Sequence, residues 1–246
     1  MIEKYYNGVI EQVAGGIGNV EHNSILVRYS NDFSIWDLES VNHYKDQTDI
    51  FFTCHEFSYN KIAEAYEPYL GLIRQMFHKY CSGTLEEFME ECDVYKLQRP
   101  VFESYFEKGF CERTEQILID EVEYEQERMR NSIVTMLQKL SEIRPVVIVL
   151  NRFQLASKST MQLSNSLLQV KNKNIGIVLG VNDVQSIPEF AHEEWDAICE
   201  SMDDRNMVYH IGNAGRNMEP DVMDYYSDYE SDDGYRKLNN LVYFLD

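Results

Sequence analysis

Three stretches place polar residues directly behind apolar runs, where an α/β protein builds its sites. Cys54-His55-Glu56 follows "DIFFT", Asn151-Arg152 follows "PVVIVL", and Asn182-Asp183 follows "IGIVLGV". A thiol beside an imidazole and a carboxylate suggests a nucleophile and its base. His55, Glu56 and Asp183 would suit general acid–base work if all three came within hydrogen-bond reach of one substrate. Neighbours on a strand point to opposite faces, however, so Cys54 reads better as a small core residue. Asn-Asp after a strand is also ordinary turn chemistry. A fourth stretch, "YSNDFSIWD" (29–37), offers the hydroxyl, amide and carboxylate groups of Ser30, Asn31, Asp32 and Ser34. The glycines of "AGGIGNVEHNS" (14–24) lie between a helix and a strand, the wrong context for an anion-binding turn, and read as a connector. The six histidines show no HxH or HExxH spacing, so no metal site is expected. The five cysteines are dispersed without a CxxC pair, the pattern of reduced thiols.

The elements that must position these groups alternate along the chain. Residues 2–13 form a helical pattern, with Ile2, Tyr5 or Tyr6, Val9, Ile10 and Val13 on one face. A strand is expected over 24–30, then a helix through "IWDLESVNHYKD" capped by Asp32 or Ser34. A second strand covers 49–57, and a helix covers 66–81 with Pro68 in its first turn. Residues 84–143 are almost all helical. Over 114–143, Leu118, Val122, Met129, Ile133, Met136, Leu137 and Leu140 form an apolar stripe. Strands follow at 145–150, 174–183 and 206–213, with a capped helix at 157–170. Two of these strands are unbroken apolar runs, as in a central strand covered on both faces. The pattern defines an α/β fold of three layers, a mostly parallel sheet with helices on both faces and a helical insertion.

The formal net charge of −20 over 246 residues repels nucleic-acid phosphates and anionic membranes. It leaves open a local nucleotide site built from backbone N–H groups. The N-terminal stretch carries Glu3 and Glu11 and lacks the apolar core of a signal peptide. No run approaches the 18 apolar residues of a membrane span. A cytoplasmic protein is expected.

In this order, the segments resemble the STAND class of P-loop NTPases, relatives of the AAA group. "SILVRYSNDFSIWDLESV" stands where that class has its first strand, phosphate-binding loop and first helix. "DIFFTCHEFSYNKIAEAYEPYLGLIRQMF" is similar to its second strand and the Pro-Tyr helix. "RPVVIVLNRFQLASKSTMQLSNSLL" is similar to the Walker B strand and the helix after it. "IGIVLGVND" matches the next strand, which often ends in a polar sensor residue. The resemblance covers roughly residues 20 to 213. It implies a nucleotide site at Ser30, Asn31, Asp32, Ser34, Asn151 and Asn182, by position in the fold.

The sequence departs from the class where chemistry is done. The loop position has no Gly and no Lys, bulky Phe33 and Trp36 stand where backbone must approach phosphate, and Asp32 and Asp37 would face a polyanion. In place of the acidic pair that holds magnesium and activates water stand Asn151, which cannot act as a base, and Arg152, which reverses the charge. No catalytic residue is assigned. The expectation is a degenerate domain over 1–215 that serves as a regulatory or scaffold module without cofactor. It would bind protein partners or further domains of the same chain, and neither nucleic acid nor membrane. The alternative is an ATP- or ADP-binding switch with weak or no hydrolysis. Residues 216–235 read as an acidic, tyrosine-rich linker: "EPDVMDYYSDYESDDGY" (219–235) holds seven acidic residues, four tyrosines and no basic residue. Residues 236–246 read as the start of a following helical region. The resemblance implies a longer protein there, often with tetratricopeptide repeats.

Overall fold

A computed structural model describes residues 2–20, 23–30, 33–45, 49–109, 122–183, 187–203 and 208–211. Five strands, β1 (Asn23–Tyr29), β2 (Phe51–Glu56), β3 (Val146–Asn151), β4 (Ile175–Asn182) and β5 (Val208–Ile211), form one sheet in the order β2-β3-β4-β1-β5. Every pairing is parallel. β3 and β4 are buried along their whole length, as their unbroken apolar runs require.

One face of the sheet carries α1 (Ile2–Gly16) and α2 (Glu39–Lys45), packed through Tyr6, Val9, Ile10, Val13 and Val41 onto Ile25, Val27, Val147, Val149 and Val178. The other face carries α3 (Tyr69–Tyr80), α4 (Leu85–Glu91), α5 (Arg99–Lys108), α6 (Val122–Ile143), α7 (Lys158–Gln169) and α8 (His192–Asp203). Its core joins Ile73 and Met76 of α3, Phe102 and Phe106 of α5, and Ile133 and Leu137 of α6 to Ile148 and Ile177 of the sheet. This is the three-layer α/β architecture with a helical insertion between β2 and β3.

Local chemistry sets the helix ends. Ser157 accepts the Thr160 N–H at 3.3 Å and caps α7, and Thr84 with Glu87 closes a capping box on α4. Gly109 takes a left-handed φ of 83° and ends α5. The stripe on α6 is buried at Met129, Ile133, Met136, Leu137 and Leu140, while its expected beginning at 114–121 lies outside the described residues.

Four features differ from the sequence pattern. α3 begins at Tyr69, so Pro68 precedes the helix instead of lying in its first turn. α1 continues to Gly16, and the Val13 carbonyl there accepts the Asn23 side-chain amide at 2.5 Å, tying helix to strand. The segment "IWDLESVNHYKD" is not one helix. A 3-10 turn at Ile35–Asp37 ends at Leu38, which is extended at ψ 132° and fully buried, before α2 begins. Ile35, Leu38 and Val41 are all fully buried in the same core across that break. Finally, α8 went unpredicted, although Ala191, Trp195, Ile198 and Met202 mark a buried stripe at helical spacing.

After β1 the chain turns to the α1/α2 face, and after the neighbouring β4 it turns to the opposite face. The crevice between their carboxyl ends is therefore the topological switch point, where open α/β sheets bind ligands. No helix among the described residues is long and apolar enough to cross a membrane.

Candidate functional site

Strand alternation gathers the polar residues of this edge in one layer. Val27 and Tyr29 on β1, Cys54 and Glu56 on β2, Val149 and Asn151 on β3, and Gly180 and Asn182 on β4 share the α1/α2 face. Register completes the alignment, because Glu56 lies opposite Asn151 and Tyr29 opposite Asn182. Each of the four strands thus ends in a polar side chain two residues beyond a small or apolar one.

A continuous hydrogen-bonded network joins three of these ends. The Tyr29 hydroxyl donates to Asn151 Oδ1 at 2.8 Å, and Asn151 Nδ2 donates to Glu56 Oε1 at 3.1 Å. Ser34 Oγ donates to Glu56 Oε2 at 3.3 Å, and the Arg152 guanidinium stands 3.5 Å from Oε1. Asn151 is fully buried and the Glu56 side chain is 9% exposed. Such a carboxylate survives because two donors, Asn151 and Ser34, and the Arg152 cation replace its water. Arg152 reaches it by adopting a left-handed φ of 53°, and its guanidinium also covers the Tyr59 ring at 5.1 Å. The Arg152 charge at the end of β3 is therefore neutralised locally.

Above this layer sits an aromatic lid. Phe33 packs edge-on against Tyr6 at 5.1 Å and Tyr29 at 4.9 Å, and Tyr6 contacts Tyr29 at 6.4 Å. Half-buried Phe33 thus packs its ring against the core of the α1/α2 face. Burial, with Tyr29 and Glu56 nearby, raises the Tyr6 phenol well above its ordinary range. Its hydroxyl is buried with no hydrogen-bond partner among the described residues, and the neighbouring Gly180 leaves room for it.

The residues singled out in the sequence fare differently. Asn151 and Ser34 join through Glu56. Asn182 is buried, and its backbone N–H donates to Gln154 Oε1 at 3.3 Å. Ser30 lies half-buried in the bend after β1, and Asn31 and Asp32 lie outside the described residues. Tyr6, Tyr29 and Gly180 were missed, although the alternation of "ILVRY" against "VVIVLN" marks Tyr29 and Asn151 as same-face strand ends.

The acid–base set is not assembled. His55 faces Glu67 at 3.8 Å on the opposite side of the sheet from Glu56, and Asp183 is paired with Arg28 at 2.8 Å. β2 and β4 stand two strand spacings apart, about 10 Å. Burial lowers the His55 pKa, with Glu67 opposing the shift. Cys54 is no activated nucleophile, since burial pushes its thiol up to about 11 despite Lys45, and burial pushes Cys92 up to about 12. Both thiols are expected to resist iodoacetamide at pH 8 in the folded chain and to react once it is unfolded in urea. Their folded pKa values exceed the unfolded value. Their contribution to stability is therefore complete below about pH 9. It is lost as pH rises from there towards about 12, which alkaline melting curves would register. Among the described residues, no group of three His, Cys, Asp or Glu side chains could hold a metal ion. No protein-family model and no curated protein matches the chain.

Proposed function

We propose that the chain is a degenerate P-loop NTPase-like domain acting as a regulatory or scaffold module, which connects protein partners or further domains in cytoplasmic signalling. The observation that carries this reading is the closed Tyr29–Asn151–Glu56–Ser34 network under the Phe33 ring. By resemblance, the phosphate-binding loop and Walker B strand belong at the ends of β1 and β3. Beside those ends stand the Glu56 carboxylate of β2, already bound by Asn151, Ser34 and Arg152, and the Phe33 ring packed against the core. A polyphosphate there would meet the Glu56 carboxylate, with the nearby Arg152 guanidinium already engaged by it.

The strand order supports the resemblance. It brings the strands read as first, Walker B and sensor to adjacent positions β1, β3 and β4, with carboxyl ends on one edge. A switch that binds ATP or ADP is the competing reading, and titration with ATP separates the two. The module predicts no saturable binding, whereas micromolar binding would select the switch.

A further inference from the structure

β2 is an edge strand whose only strand partner among the described residues is β3. In a parallel pair, alternate residues direct both backbone groups to the same neighbour. Phe51 and Phe57 donate to Pro145 and Asn151 on the β3 side, so Phe51, Thr53 and His55 serve that ladder. Phe52, Cys54 and Glu56 therefore turn their N–H and C=O groups outward. The strand "FFTCHE" carries neither Pro nor Lys, the usual means of blunting such an edge.

Two lysines flank it. Lys45, at the end of α2, lies over the Trp36 ring at 4.6 Å and close enough to Cys54 to act on its thiol. Lys79, at the end of α3, lies over Phe51 at 5.8 Å and Tyr80 at 5.3 Å on the opposite face. Both are exposed, and neither forms a salt bridge among the described residues. An edge open to strand addition with a cation on each side recognises an extended acidic segment.

We propose that the β2 edge is the docking site for the acidic, tyrosine-rich stretch 219–235 of this same chain, added as a strand. Its seven acidic residues come without a basic one, so its charge complements Lys45 and Lys79. Reach permits it. The five strand spacings from β5 to a strand added outside β2 amount to about 24 Å, and the seven residues between Ile211 and Glu219 span up to about 25 Å. Tethering gives the segment an effective concentration in the millimolar range, an advantage over any free acidic strand. A second copy is disfavoured, because two chains of charge −20 repel and pairing β2 with β2 would bring the flanking lysines together. The docking is independent of whether the domain binds nucleotide.

The test is amide hydrogen exchange by NMR on the full chain, comparing the outward amides of Phe52, Cys54 and Glu56 with the inward amides of Thr53 and His55. The expected result is protection of both sets in the native chain. In the triple variant D224K/D228K/E230K, the outward set is expected to exchange at least ~10-fold faster. The same change is expected in about 1 M NaCl, where the Debye length falls to ~3 Å. Unchanged inward amides certify that the variant is folded. Fast exchange of the outward amides in the native chain would overturn the proposal, as would protection that survives the triple variant. Protection that appears only as concentration and molecular mass rise together would instead assign the edge to a second copy.

Discussion

Gly180→Ala is expected to lower stability by about 3 kcal/mol, at the upper end of the cost of overpacking a well-filled core. A Cβ on Gly180 would stand 2.6 Å from Asn151 Oδ1 and 3.1 Å from Tyr6 Cζ, and closer still to the Tyr6 hydroxyl. Neither neighbour can retreat easily. Asn151 is held by Tyr29 and Glu56, and Tyr6 is wedged between α1, Phe33 and the sheet. For a chain of this length the expected drop in Tm is about 6–12 °C. Tyr6→Phe in the same background removes the closest atom and is expected to restore about half of the loss. Tyr6→Phe alone deletes a buried hydroxyl that has no partner among the described residues, so it is expected to be neutral or to stabilise by about 1 kcal/mol. Thermal melts of the four proteins form a double-mutant cycle. A Gly180→Ala cost below about 0.5 kcal/mol, or no rescue by Tyr6→Phe, would contradict the close packing of α1 on β4.

Asn151→Leu tests the polar layer itself. Leucine keeps the branched outline of asparagine with bulkier methyl groups, takes away the acceptor of the Tyr29 hydroxyl and removes one of the donors to Glu56. Each orphaned buried group costs about 1–3 kcal/mol, more when charged. The expected loss is therefore about 3 kcal/mol, read as a lower midpoint in urea with an unchanged slope. Tyr29→Phe added to Asn151→Leu removes one orphan and is expected to recover about 1 kcal/mol. If Asn151→Leu proved neutral, the network would be an incidental contact and no longer the feature that closes this edge.

The layer order of the molecule was legible in the sequence because its signals are local. Unbroken apolar runs at "VVIVL" and "IGIVLGV" announce covered strands, and the spacing from Met129 to Leu140 announces a buried helix face. The division at Leu38 was not legible, because the spacing of Ile35, Leu38 and Val41 suits one continuous helix face as well as the broken path. The site was half legible. Asn151 and Ser34 stood out for residue type and position, but Glu56, their common partner, comes from β2, and only the parallel register brings it level with Asn151. Tyr6 belongs to a helix that precedes the sheet, so no spacing along the chain links it to Gly180, some 174 positions away. Contacts of that separation are fixed by strand order, which the sequence pattern restricts without specifying.

We propose that the protein's own side chains close the carboxyl ends of β1 and β3 to nucleotide. The most direct measurement is calorimetric titration of ATP into the purified chain, with and without magnesium, alongside melting curves at millimolar ATP. No saturable heat and no upward shift in Tm are expected, since a ligand that does not bind the native state cannot stabilise it. Micromolar binding with a rise in Tm, lost on substitution of Ser34 or Asn151, would contradict it and identify this edge as a nucleotide switch.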